Sequence, residues 1–357
     1  MKAAAVVGGI IGVAAGGTAL AVALAKRRRD DPEDPLADEP LGLLPPTRTC
    51  TVAATDGVPL AVEEVDPPDG GKPALTVVFV HGFALSRRCW HFQRRDLAQL
   101  VDPRVRLVLY DQRSHGRSGR GDPASSTIEH LADDLAEVLR VMVPNGPIVL
   151  VGHSLGGMTI MGLAEKDPDL FADRIAGVAL IATSAGEVGK QGLPRPLLSK
   201  RSPVARGVGQ LAEWQPGLVE LVRGAGGGLT RQAVRLLAFG TRGVSARLVS
   251  FMVEMLNVSS VGALTNFVPT LSSHNRYAAL AGLAHCRVLV VSGDKDRLTP
   301  FQHAERIAAE LPDAELVCVP GTGHMIMLEQ PELVTGPLVE LIRACAKGKR
   351  RKWWRRA

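Results

Sequence analysis

The chain has 357 residues, enough for one large domain of alternating strands and helices with an insertion. Its formal net charge is +6, and the surplus of Lys and Arg lies largely in the two termini, so no basic nucleic-acid-binding module is expected. The five cysteines (Cys50, Cys89, Cys286, Cys318 and Cys345) are scattered and odd in number, which argues against a disulfide framework.

From Ala3 to Ala25 there is no charged residue, and Lys26-Arg27-Arg28-Arg29 follows at once. Such a run is long enough to cross a hydrocarbon core of ~30 Å as a helix. Gly8, Gly12 and Gly16 recur on one face of that helix, a spacing that lets helices approach closely. Residues 1–29 therefore read as a membrane anchor with a basic stop, which places the folded part on the cytoplasmic side. A signal peptide cleaved after Ala23-Leu24-Ala25, with export, is the competing reading. Residues 30–48 are acidic and proline-rich and read as a linker.

The folded domain is expected to begin with a strand pair, Cys50 to Ala54 and Leu60 to Glu64, turned at Asp56-Gly57. Thr76 to Val80 reads as a third strand that leads into His81-Gly82-Phe83. Val105 to Tyr110 reads as a fourth, followed by the segment Asp111 to Ser118. Thr127 to Val143 has Leu131, Leu135, Val138 and Leu139 at helical spacing. Ile148 to Val151 is a buried-strand pattern that runs directly into Gly152-His153-Ser154-Leu155-Gly156, with Gly157 to Met161 continuing as a helix. Strands are again expected at Val178 to Ala182, Arg287 to Ser292 and Ala314 to Val319, with a helix from Phe301 to Glu310 and Cys318 buried mid-strand. This alternation predicts an α/β fold, a mostly parallel sheet with helices on both faces. Between strands, residues 184–284 lack strand-like runs and carry helical pieces at Arg231 to Phe239 and Arg247 to Leu256. Gly224 to Gly228 reads there as a flexible joint. Residues 49–183 and 285–346 form the core, and 347–357 a basic tail with Trp353 and Trp354, residue types suited to an anionic interface.

Ser154 carries the chemistry. A serine between two glycines at a strand-to-helix turn is held in a strained backbone with its hydroxyl lifted clear of the fold. A hydroxyl is a weak nucleophile until a base takes its proton, and the base needs a carboxylate to fix its tautomer. Downstream, in the required order, lie Asp294 and Asp296 just past a strand end and His324 in the glycine loop Pro320-Gly321-Thr322-Gly323. No metal-ligand spacing and no dinucleotide-binding glycine pattern is present, so no cofactor is expected.

From about Thr49 to Lys347 the chain resembles the α/β-hydrolase family. The resemblance rests on Val80-His81-Gly82-Phe83, Asp111 to Ser118, the Ser154 turn, Gly293-x-x-Asp296 and Gly323-His324. It implies that Ser154, Asp296 and His324 form a catalytic triad, with Asp294 the alternative acid. It implies that the Leu155 and Phe83 amides form the oxyanion hole, and that residues 184–284 form a helical cap over the site. Within that cap Phe251, Met252, Met255, Leu256 and Phe267 are candidates for an acyl pocket, with ordinary core the reading favoured for any one of them. His81 and His153 are assigned structural roles. The expected reaction is hydrolysis of a carboxylic ester, lipophilic rather than charged. Perhydrolase or cofactor-free haloperoxidase chemistry, thioester or amide cleavage, and a non-catalytic binding role at the membrane are the alternatives. Epoxide hydrolase or dehalogenase action is disfavoured, since those relatives need an aspartate where Ser154 stands. The expected partners are a small ester and the membrane, with no nucleic acid, and the oligomeric state is left open.

Overall fold

A computed structural model describes residues 34–188, 227–241 and 243–348. The uncharged N-terminal run and the basic tail beyond residue 348 lie outside the described residues. The strands are β1 (Arg48–Ala53), β2 (Pro59–Val65), β3 (Leu75–Val80), β4 (Val105–Tyr110), β5 (Ile148–His153), β6 (Ile175–Ile181), β7 (Arg287–Gly293) and β8 (Glu315–Val319). They form one sheet in the order β1-β2-β4-β3-β5-β6-β7-β8. β2 pairs antiparallel with both β1 and β4, and every later pairing is parallel. β3 and β5 are buried at every position, which is why they read as continuous apolar runs rather than alternating ones. β2 alternates buried with more exposed positions, as a strand with one wet face must.

The flanking helices are α1 (His91–Leu97), α2 (Ile128–Met142), α3 (Leu155–Lys166) and α4 (Pro168–Asp173) before the insertion, and α5 (Gly227–Ala238), α6 (Ala246–Val258), α7 (Val261–Ser273) and α8 (Leu280–Leu283) within or closing it. The domain ends with α9 (Gln302–Glu310), α10 (Ile326–Glu329) and α11 (Pro331–Ala346). α2 starts where Thr127 caps it by accepting from the His130 amide at 3.2 Å, and it buries Leu131, Leu135, Val138 and Leu139.

Two expectations change. Cys318 is exposed, because β8 is the edge strand and presents that face to solvent. Gly227 and Gly228 open α5 rather than lying in a joint, and residues 224–226 are outside the described set. Phe251 is fully buried, as the favoured core reading has it, and packs under the Arg88 guanidinium, 5.1 Å from ring centroid to Cζ. Among the described residues no single helix is long and apolar enough to cross a membrane; the bent pair Ala246–Val258 and Gly262–Ser273 passes by length and composition only.

Since β3 lies between β4 and β5, the chain leaves β3 to one side and returns on the other. The crevice for a ligand forms at the carboxyl ends of strands where the winding reverses, and that point lies between β3 and β5. Buried ion pairs brace it. Arg113, at the end of β4, is wholly buried and makes a fork to Asp134 of α2 at 2.6 and 2.7 Å, and also reaches Asp56 at 2.7 Å. Arg87 meets Asp111 and, at 2.8 Å, Glu63. A buried guanidinium left without these carboxylates would be costly, so the loops it joins are held in one arrangement.

Candidate active site

β5 ends and α3 begins on either side of Ser154, whose φ of 52° and ψ of −116° lie outside the ordinary regions for a residue with a side chain. The flanking glycines make this turn possible. A Cβ on Gly152 would sit 2.7 Å from the Gly156 carbonyl and the Gly157 nitrogen, and one on Gly156 would run into the Val80 carbonyl. Hydrogen bonds hold the strained peptide. The Ser154 amide donates to the Ile181 carbonyl at 3.0 Å, and the Ser154 carbonyl accepts from the Thr183 hydroxyl at 2.6 Å.

The loop after β3 comes to the same place, since a Cβ on Gly82 would lie 3.2 Å from the Ser154 Cβ. His81 holds that loop. Its Nδ1–H donates to the Gly82 carbonyl at 2.8 Å and its Nε2 accepts from the Gln112 amide at 2.9 Å. Gln112 in turn donates to the His81 carbonyl at 2.7 Å and accepts from Thr159 of α3 at 2.8 Å. Both His81 nitrogens are therefore engaged in bracing, and burial lowers its pKa to about 4. Among the described residues, neither the Phe83 nor the Leu155 amide donates to another protein group. Both are unspent backbone donors, Leu155 next to the serine in the chain and Phe83 next to Gly82 on the loop that meets it.

His324 lies in the loop between β8 and α10. Its Nδ1 is 2.8 Å from Asp296 Oδ2. A carboxylate accepts only, so Nδ1 carries the proton and Nε2 has a free lone pair. Asp296 is fully buried as a side chain. Its Oδ1 accepts from the Leu298 and Thr299 amides at 2.8 and 2.9 Å, and the Thr299 hydroxyl lies 2.9 Å from Oδ2. Asp294 instead accepts from the Gly321 amide at 2.6 Å and pairs with Lys295 at the surface, so it braces the turn and does not contact His324. Of the two aspartates, the fold delivers Asp296 to the histidine.

His153 points back into the protein. Its Nε2–H donates to the His324 carbonyl at 3.0 Å, and the two rings stand 4.8 Å apart. Burial, reinforced by His324, pushes its pKa well below the ordinary value, so it is a neutral strut that ties the His324 main chain to the serine turn. His115 packs edge-on to Phe83 and against Phe267 of α7, with centroids 6.1 and 5.4 Å away. Leu155, Met158, Phe267, Val188, Ile128 and Leu131 form a buried apolar cluster with Phe83 and Leu271 against it, next to the two free amides. No group of three or more potential metal ligands occurs among the described residues.

Two contributors were not foreseen in the sequence, Thr299 and Glu329. An aspartate whose carboxylate accepts from the amides two and three residues on forms a local turn, and that turn brings in Thr299. Nothing local marks Glu329, which acts across 89 residues through bonds to Gly240.

Comparison with known proteins agrees with this architecture. A family model described as "Alpha/beta hydrolase family" matches residues 77–336. The chain is similar to "Probable oxidoreductase EphD" of Mycobacterium tuberculosis, 36% identical over 132 residues, which are 37% of this chain and only 21% of that protein. It is similar over nearly the whole of "Putative carbamate hydrolase RutD" of Caulobacter vibrioides, 27% identical over 313 residues, covering 83% of this chain and 98% of that one. Among solved structures, a thermophilic esterase from Thermogutta terrifontis superposes with a TM-score of 0.65 at 25% identity, over 84% of this chain and 99% of the esterase. With most of its length matched, from the third strand to the last helix, the chain belongs to the alpha/beta hydrolase family.

Proposed function

We propose that this hydrolase cleaves carboxylic esters through an acyl-enzyme formed on Ser154. His324 takes the hydroxyl proton at Nε2 and returns it to the leaving alcohol. Asp296 holds the tautomer and steadies the imidazolium. The Phe83 and Leu155 amides receive the oxyanion, a contribution typically of ~3 kcal/mol for each donor. Water then attacks the acyl-enzyme, with His324 again the base. The observation that carries the reading is the buried Asp296–His324 contact of 2.8 Å, tied through His153 to the strained turn at Ser154, with the Phe83 and Leu155 amides unspent. The apolar cluster of Leu155, Met158 and Phe267 favours a lipophilic acyl group over a charged one.

A graded series of p-nitrophenyl esters, acetate to palmitate, tests the substrate class. Turnover with an optimum at medium or long acyl chains is expected. Turnover of amides or thioesters with no ester hydrolysed would overturn it.

The uncharged run from Ala3 to Ala25 with its basic stop supports a tether to the membrane, with the hydrolase on the cytoplasmic face. Full-length protein should then stay with membranes through alkaline carbonate extraction. Complete release into the wash would rule the tether out.

A further inference from the structure

The end of α5 is seated directly on the two loops that carry Asp296 and His324. The Ala238 carbonyl accepts from the Met325 amide at 2.8 Å, and the Leu236 carbonyl accepts from the guanidinium of Arg297, the neighbour of Asp296. No side chain separates the segments. A Cβ on Gly240 would lie 2.5 Å from the Thr322 carbonyl carbon, and one on Gly323 would lie 2.5 Å from the Gly240 nitrogen.

One carboxylate closes this contact. Glu329, the last residue of α10, accepts through Oε1 from the Thr241 amide at 2.9 Å and through Oε2 from the Gly323 amide at 2.8 Å. The Gly240 amide is shared between the two oxygens at 3.1 and 2.9 Å. Three backbone donors from two distant segments thus converge on one anion, and bonds to an ionised acceptor are roughly twice as strong as neutral ones. The donor on the loop side is Gly323, the residue before His324. On the other side the His324 carbonyl is held by His153. The base is therefore fixed at both ends of its own segment, and one of those fixings is shared with the insertion.

We propose that Glu329 is a positioning residue for His324: its carboxylate locks the histidine loop to the C-terminal end of α5, so that seating of that helix sets the alignment of the imidazole. The proposal rests on the assignment of His324 as the base. Displacing α5 would withdraw Gly240 and Thr241, leave the carboxylate bonded on one side only, and free the loop. A displacement of about 1 Å at a reacting group can cost on the order of 100-fold in rate. The insertion would thereby report its position to the catalytic base without touching it.

Glu329→Gln tests this, because it keeps the shape and turns one acceptor into a donor facing the amides. In the full chain, kcat on the best ester should fall ~10- to 100-fold with KM within about threefold. Phosphonylation of Ser154 by a fluorophosphonate should slow in parallel. Amide exchange should rise together in residues 238–243 and 320–326 and stay unchanged in the sheet. Wild-type kcat in a folded E329Q would overturn the proposal, as would exchange that rises in one segment alone or throughout the chain. Should E329Q fail to fold, E329D keeps the charge, shortens the reach by one methylene and takes the same measurements. A wild-type chain that neither turns over esters nor labels at Ser154 would instead refute the triad assignment, and the exchange experiment would still test the clamp.

Discussion

Ser154→Ala is expected to lower kcat for ester hydrolysis by ~10⁴-fold or more and to leave the fold intact. The residue occupies a strained turn set by Gly152 and Gly156, and alanine fits it as well as serine does, so only the nucleophile is lost. In the proposed mechanism the three groups act as one unit. Once the serine is gone the base has no proton to take, so Ser154→Ala with His324→Ala should be no slower than Ser154→Ala alone. Asp296→Asn should retain some of the local amide contacts, yet it presents an amide donor to His324 Nδ1. The ring would then favour the wrong tautomer, and a loss of ~10⁴-fold is expected. Residual activity in Ser154→Ala comparable to wild type would remove Ser154 from the mechanism. Additive losses in the double variant would show that the two residues serve different steps.

Stability should collapse between pH 7 and pH 5. His81 and His274 are lowered to about 4 and His115 to about 3, in each case first by burial, with His81 adding to the effect on His115. Their ordinary value is 6.5, so as pH falls below 6.5 the unfolded chain binds protons that the folded chain refuses. Folding stability therefore falls with falling pH across that window, and the loss levels off only below about 4 for His81 and His274 and about 3 for His115. At pH 5 each contributes a loss of about 2 kcal/mol. His153 acts in the same direction. The sum approaches the whole stability of an ordinary domain, about 5–15 kcal/mol. Urea midpoints at pH 7.5 and 5.0 should differ by more than half. His115→Phe, which keeps the aromatic contacts to Phe83 and Phe267, should reduce the slope of stability against pH by close to one proton. An unchanged midpoint at pH 5 would mean that these rings accept protons in the folded state.

The order of strands and the serine turn are legible because each leaves a local trace. β3, β5 and β7 are buried on both faces and so appear as unbroken apolar runs. The turn at Ser154 demands glycine at two fixed positions for steric reasons that hold in any chain that bends so sharply. Asp296 and His324 are legible because they follow strand ends, where a parallel sheet collects ligand-binding groups. Cys318 shows where such reading stops. An apolar strand pattern does not say whether the strand is central or at the edge, and β8 is at the edge, with Cys318 facing water.

What the amino-acid order determined by itself was the set of elements, the glycine-flanked turn at Ser154 and the acidic and histidine residues available to it, since these depend on periodicity and on residues a few positions apart. Only the tertiary structure decided that Asp296 and not Asp294 meets His324, that His153 holds the His324 carbonyl, that Glu329 reaches Gly240, and that Phe251 packs on Arg88 while Phe267 joins the cluster with Leu155. Each of these is a contact between segments far apart in the chain. Its free energy depends on distance and burial in three dimensions, and no local pattern of residues encodes either.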